Sequence, residues 1–127
     1  MYHKKENIIN ALSNYKKSIE TLSRSTNIKD LALAFNGVAS LFAGQDNLDS
    51  CIYYAKRGLE ITQKLSYKQG AYESYLLLSS AFEPIDKAEA LRYYKLAMEV
   101  KDEMFNTMKQ TQAISARFES QLQQIEL

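Results

Sequence analysis

Asn14-Tyr15-Lys16-Lys17-Ser18-Ile19-Glu20, Tyr54-Ala55-Lys56-Arg57-Gly58-Leu59-Glu60 and Tyr93-Tyr94-Lys95-Leu96-Ala97-Met98-Glu99 align when written one above another, at offsets of 40 and 39 residues. Each segment carries an aromatic residue or Ala, then Lys, then a small residue two further on, an aliphatic and Glu. The small residue stands seven after another small one, in the pairs Ala11/Ser18, Cys51/Gly58 and Ala90/Ala97. Seven residues are about two helical turns, so both members of a pair share a face and let a second helix approach closely. A period near 40 with a helical hairpin in each unit marks a solenoid, in which one unit cannot cover its own apolar face and stacking supplies the core.

Outward from these segments, apolar residues keep helical spacing almost from end to end, as in Ile8, Ile9, Leu12, Tyr15, Ile19, Leu22 and again in Phe35, Val38, Ala39, Phe42. The breaks are short. At Ser25-Thr26-Asn27 the apolar pattern stops and polar cap formers offer a new start. In Gly44-Gln45-Asp46-Asn47 the Gly is expected to take the left-handed conformation that closes a helix, with Asp46 or Asn47 capping the next. Ser66-Tyr67-Lys68-Gln69 fits a capping box, and Asp86-Lys87-Ala88-Glu89 a second one just after Pro84. These breaks predict helices at about 4–24, 29–44, 47–65, 67–82 and 86–105, then a tail helix to about 125. Connections this short force neighbouring helices to run antiparallel.

The 127 residues are 46% hydrophobic and 24% charged, with thirteen Ala and fifteen Leu but only five Gly and Pro together. That is about a third of the usual Gly and Pro share, which disfavours turn-rich β folds and disordered linkers. Lys+Arg number 16 and Asp+Glu 15, a balance of +1 that argues against a nucleic-acid groove or a polybasic membrane anchor. No apolar stretch approaches the ~18 residues of a membrane span, and no signal-peptide pattern opens the chain. The single Cys51 excludes an intramolecular disulfide.

Phe35, Val38, Ala39 and Phe42 in one unit, and Tyr75, Leu78, Ser79 and Phe82 in the next, resemble the large, aliphatic, small and large positions of the first helix of a tetratricopeptide repeat. Cys51, Ala55 and Gly58, and again Ala90, Tyr94 and Ala97, resemble the small or aromatic positions of its second helix, with Leu48 before them. The period exceeds the family's usual one, as in its long-repeat subgroup, and Lys87 stands where an apolar residue is common. The resemblance implies an all-α, right-handed α-solenoid of antiparallel hairpins, about six helices in a single domain over 1–127. Its parts are a lone second helix at 4–24, hairpins at 29–65 and 67–105, and a long capping or exit helix at 106–127. The stretch Leu91–Met98, then Lys101–Asn106 and Arg117-Phe118-Glu119, resembles the final repeat and exit helix of tetratricopeptide sensory regions in bacterial two-component sensor kinases. That narrower likeness implies an input region on the periplasmic side of a membrane-anchored parent; without it, a cytoplasmic module is the expectation.

In such arrays first helices line the inner groove. The repeat alignment places Leu33, Asn36, Ser40 and Ala43 there from one hairpin, and Glu73, Leu76, Ser80 and Glu83 from the other. The set lacks the Lys/Arg cluster that clamps a peptide carboxylate, and two hairpins offer limited area, so a peptide bound here is expected to be held weakly. Catalysis has little to stand on: the sequence has no Gly-rich phosphate loop, no His/Cys metal spacing and no HExxH pair, and implies neither cofactor nor metal. Cys51 falls at a packing position and its only potential base, His3, lies near an end. Carboxylates such as Glu60, Glu99 and Asp102 fall on outer helical faces. Of the doublets Tyr53-Tyr54 and Tyr93-Tyr94, one member each is expected between helices and the other at the seam with its hydroxyl in water.

Two faces are expected to lack partners. Residues 4–24 match a second helix without its first, leaving Ile8, Leu12, Tyr15 and Ile19 half uncovered, as in a piece of a longer array. From Met104 onward Met108, Thr111, Ile114, Phe118, Leu122 and Ile125 recur at spacings of 3 and 4, expected to cap the last hairpin up to about Ile114 and to continue as a coiled-coil connector after it. The expected function is a non-catalytic protein- or peptide-binding input module, in which a ligand in the groove alters hairpin stacking and the exit helix reports it. Two other readings stand beside it: a scaffold that self-associates through its N-terminal or C-terminal helix, and a cytoplasmic module that grips a transcription factor or response regulator.

Overall fold

The computed structural model describes the backbone of residues 2–23 and 28–125, and the side chains of residues 9–21 and 28–125. Five helices account for nearly all of it, with no strand among the described residues: α1 (Tyr2–Ser23), α2 (Ile28–Gly44), α3 (Leu48–Lys64), α4 (Lys68–Phe82) and α5 (Lys87–Ile125). The cap expected at Ser25-Thr26-Asn27 lies outside the described residues. Where six helices are expected there are five, because the fifth and the tail are one continuous helix. No Gly or Pro stands between Lys87 and Ile125, and nothing else in that run breaks a helical turn.

Each helix packs on the next in sequence, and α2 also packs on α4; the described residues make no other helix pair. Connections of three or four residues join α2 to α3, α3 to α4 and α4 to α5, and side-chain contacts show antiparallel runs. Gln63 near the end of α3 donates to the Tyr75 hydroxyl (3.1 Å), Ser79 of α4 donates to the Ala90 carbonyl (2.8 Å), and Lys68 at the start of α4 pairs with Glu103 (3.4 Å).

Two turns share one geometry that the sequence reading places differently. Gly44 does not have positive φ; Asp46 does, at 58°, and in the next turn Ser66 does, at 53°. In each turn the following amide reaches back to close the preceding helix, Asn47 N–H to Phe42 O (3.0 Å) and Tyr67 N–H to Thr62 O (2.9 Å). Asn47 then caps α3, its side chain accepting from Ser50 N–H at 3.3 Å. The capping box expected at Ser66 is absent: the left-handed backbone at Ser66 moves the cap position to Tyr67, which makes no side-chain cap bond. Asp86 caps α5 as expected, accepting from the Ala88 and Glu89 amides.

The repeat shows itself in the packing. Tyr54 of α3 stacks between Phe35 and Phe42 of α2, at centroid distances of 6.2 and 5.6 Å. Tyr93 of α5 sits between Tyr75 and Phe82 of α4, at 6.2 and 5.7 Å. The inward tyrosine is thus the second of one doublet and the first of the other. Tyr53 and Tyr94 are exposed, so Tyr94, aligned with buried Ala55, is not a packing residue. The small residues Cys51, Ala55, Gly58, Ala90 and Ala97 are all buried, whereas Ser18 in α1 is exposed.

The tail differs from expectation. Every residue from 105 to 125 is exposed, so this segment covers nothing of its own chain and does not cap the last hairpin. At 1.5 Å per residue it projects about 30 Å. Along α1, Tyr15 and Ile19 are partly buried against the body, Leu12 is partly buried and Ile9 is 62% exposed; the side chain of Ile8 lies outside the described residues.

A left-handed backbone costs a non-glycine residue roughly 1 kcal/mol, partly offset by the greater freedom glycine has when unfolded. Ser66→Gly and Asp46→Gly should each raise stability by about 0.5–1 kcal/mol in urea titrations; a loss of stability would show that these side chains matter to the turns.

Candidate functional site

A cavity of about 440 Å³ opens between α2 and α4, lined by Leu33, Asn36, Gly37, Ser40, Glu73, Leu76, Leu77 and Ser80. Six of the eight residues that the alignment assigns to the groove therefore lie together. Residues 33, 36, 37 and 40 fall on one face of α2, and 73, 76, 77 and 80 occupy the same face of α4, forty positions on. Ala43 and Glu83 do not line the cavity. Ala43 is turned toward the core, where it packs beside Phe42; Glu83 is the exposed residue at which α4 ends. Gly37 and Leu77 line it unforeseen, although each directly follows an assigned residue and the two are themselves forty apart.

Asn36 is the exception among the six, because its side chain is fixed within the body. It is only 5% exposed. Its amide nitrogen donates to the Gly70 carbonyl (3.2 Å), and its oxygen accepts from the Ser74 hydroxyl (2.8 Å), which also lies 3.0 Å from the Gly70 carbonyl. On the other side, that oxygen fills the space a side chain at Gly58 would need: a Cβ there would lie 2.5 Å from it. Asn36 therefore holds α2 to α4 where α3 passes closest. Read from sequence it is a polar groove residue; its repeat counterpart is Leu76, and nothing in the sequence marks Gly70 and Ser74 as its partners.

What remains available to a ligand is a wall of Leu33, Leu76 and Leu77, the small polar Ser40 and Ser80, and one carboxylate, Glu73, which accepts from Gln69 at 3.3 Å. No Lys or Arg lines the cavity. Gly37 forms the floor because the Tyr15 ring of α1 lies against it; a Cβ at Gly37 would meet that ring at 2.7 Å. This lining suits an uncharged or basic segment with small apolar side chains, and it offers neither a nucleophile–base pair nor a cluster of ligating groups. Among the described residues no group of three or more His, Cys, Asp and Glu converges to hold a metal ion, and no helix is long and apolar enough to cross a membrane.

Cys51 lies away from the groove, fully buried among Ala39, Ala55 and Leu78, and burial pushes its thiol above the ordinary cysteine range. The side chain of His3 lies outside the described residues. One carboxylate among the described residues is perturbed, Glu89, which is partly buried: a two-pronged hydrogen bond from Arg92 (2.9 and 3.0 Å) holds it below the usual carboxylate range. Glu60, Glu99 and Asp102 are exposed on outer faces.

Asn36→Ala removes two buried hydrogen bonds and opens a void, and should cost about 2–4 kcal/mol, whereas Ser80→Ala should stay within about 0.5 kcal/mol; equal effects in chemical denaturation would deny Asn36 its structural role. A thiol reagent should leave Cys51 unmodified in the folded chain and react promptly once denaturant is added. No protein-family model matches this chain, and neither a curated protein nor a solved structure does.

Proposed function

We propose that this chain is a right-handed α-solenoid of the tetratricopeptide type that binds a protein or peptide segment in the groove between α2 and α4 and carries no catalysis of its own. Three observations support the solenoid. Helices contact their successors and α2 contacts α4 with no closing contact among the described residues; the aromatic sandwiches of the two hairpins have nearly equal spacings; and the small-residue pairs of α3 and α5 are buried.

The observation that carries the binding reading is the cavity itself. It is about 440 Å³, within the range of small-ligand and peptide-anchor pockets, and its two walls are corresponding faces of successive repeat units. Apolar side chains there supply affinity and Ser40, Ser80 and Glu73 supply direction. In a bacterial signalling protein, such as a two-component sensor kinase, the same groove would serve as the input and α5 as the output.

Selection of random peptides on the intact chain should return ligands of micromolar or weaker affinity, given the small area. Ser40→Arg and Ser80→Arg, which fill the groove from opposite walls at exposed positions, should each weaken them at least about tenfold, or about 1.4 kcal/mol, with unchanged melting. Failure to recover any ligand, or ligands indifferent to both substitutions, would refute the reading.

A further inference from the structure

The face along which α4 packs on α5 does not end where α4 ends. Ala90, Tyr93 and Ala97 are buried beneath α4, and Val100 and Met104 are partly covered. Lys68, the first residue of α4, marks the limit through its ion pair with Glu103. Five helical turns are eighteen residues, so Met108, Thr111, Ser115, Phe118 and Leu122 lie on the same face as Ala90, Tyr93, Ala97, Val100 and Met104, one for one. That face runs on bare for about six more turns. On it Met104, Met108, Thr111, Ser115, Phe118, Leu122 and Ile125 stand at alternating spacings of 4 and 3, the places of a coiled-coil seam with apolar ends and a small polar centre, and Ile114 flanks that centre.

We propose that a second copy of this chain covers it, the two α5 helices packing antiparallel through residues 104–122. The direction follows from α4. Two coiled helices lie 8–10 Å apart, and α4 already occupies this face of each copy as far as Glu103. In a parallel, in-register pair the two α4 helices would therefore meet in the same space. An antiparallel partner runs as α4 runs and takes up the face where α4 gives out. In the register centred on Ala113, Met104 faces Leu122, Met108 faces Phe118, and Thr111 faces Ser115, so large meets large and small meets small.

Charge and area agree with this occupant. Between residues 105 and 125 the only charged side chains are Lys109, Arg117 and Glu119; Lys109, over the Phe105 ring of its own helix, and Arg117 both lie on the outer side, so the seam itself carries no charge. Phe105, Met108, Ile114, Phe118 and Leu122, in or beside the seam, are 44 to 66% exposed. With large side chains of roughly 200 Å² each, two copies bring on the order of 1,000 Å² of apolar surface together, the lower bound for a specific interface. The groove between α2 and α4 takes no part.

Sedimentation equilibrium of the intact chain across the micromolar range should show twice the chain mass. Phe118→Asp, a charge in the seam at a residue exposed within the single chain, should return the monomer; Asn106→Asp, at an exposed place on the far side of the helix, should not. In a mixture of Met108→Cys and Phe118→Cys chains, oxidation should cross-link one variant to the other rather than each to itself, and native Cys51, being buried, does not compete. A monomer at all concentrations, a Phe118→Asp dimer, or cross-links between two Phe118→Cys chains would overturn the proposal.

Discussion

The arrangement of α2, α3 and α4 depends on one side-chain amide. Asn36 bonds the Gly70 carbonyl and the Ser74 hydroxyl of α4 while its oxygen rests in the hollow left by Gly58 of α3. Each partner is itself buried, so an unpaired donor or acceptor here would carry its full desolvation cost. No buried side-chain nitrogen or oxygen among the described residues lacks a partner, so the node is closed. It fixes the spacing of α2 and α4, and with it the width of the groove between them. The groove is thus held open by a contact on its inner side.

Around that node the two hairpins use the same parts with small changes. A tyrosine between two rings joins first helix to second in both, whereas the left-handed closures fall in the turn of the first hairpin, at Asp46, and in the connection between the hairpins, at Ser66, and the turn of the second hairpin carries Pro84 instead. Two differences stand out, one at mid-helix and one at an end. The second hairpin lacks an Asn36 equivalent, Leu76 standing in its place at the groove wall. Its second helix is more than twice the length of α3, so the array passes without interruption into an uncovered rod.

Much of this was legible in the sequence because helices and repeats are written in spacing. The limits of α2, α3 and α4 and the Asn47 and Asp86 caps follow from cap-forming and helix-breaking residues set between helical periods, and six of the cavity-lining positions from the repeat alignment. Choices that depend on which neighbour a residue meets did not follow. Asn36 reads as a groove residue until Gly70 and Ser74 are seen beside it, and either tyrosine of a doublet satisfies the pattern until α2 or α4 selects one. Asp46 took the left-handed place expected of Gly44 because the helix runs to Gly44 itself. The continuity of α5 was available in principle, since no breaker follows Pro84; the expected division at 105 came from the repeat length, which has no hold on a helix once its repeat is complete.

The fully buried side chains are small: Leu78, Val38, Thr62, Cys51 and Ser74 are the largest, and alanines make up most of the rest. Helices meet here by near approach of their backbones more than by filling a cavity with hydrocarbon. The heat-capacity increment of unfolding grows with apolar surface and is reduced by polar surface; here the first comes chiefly from the rings of Phe35, Tyr75 and Tyr93, and Asn36, Thr62 and Ser74 contribute the second. A small increment flattens the free-energy curve against temperature. Each polar group that the interior holds in place of hydrocarbon works in that direction, toward a margin of stability that changes slowly with temperature.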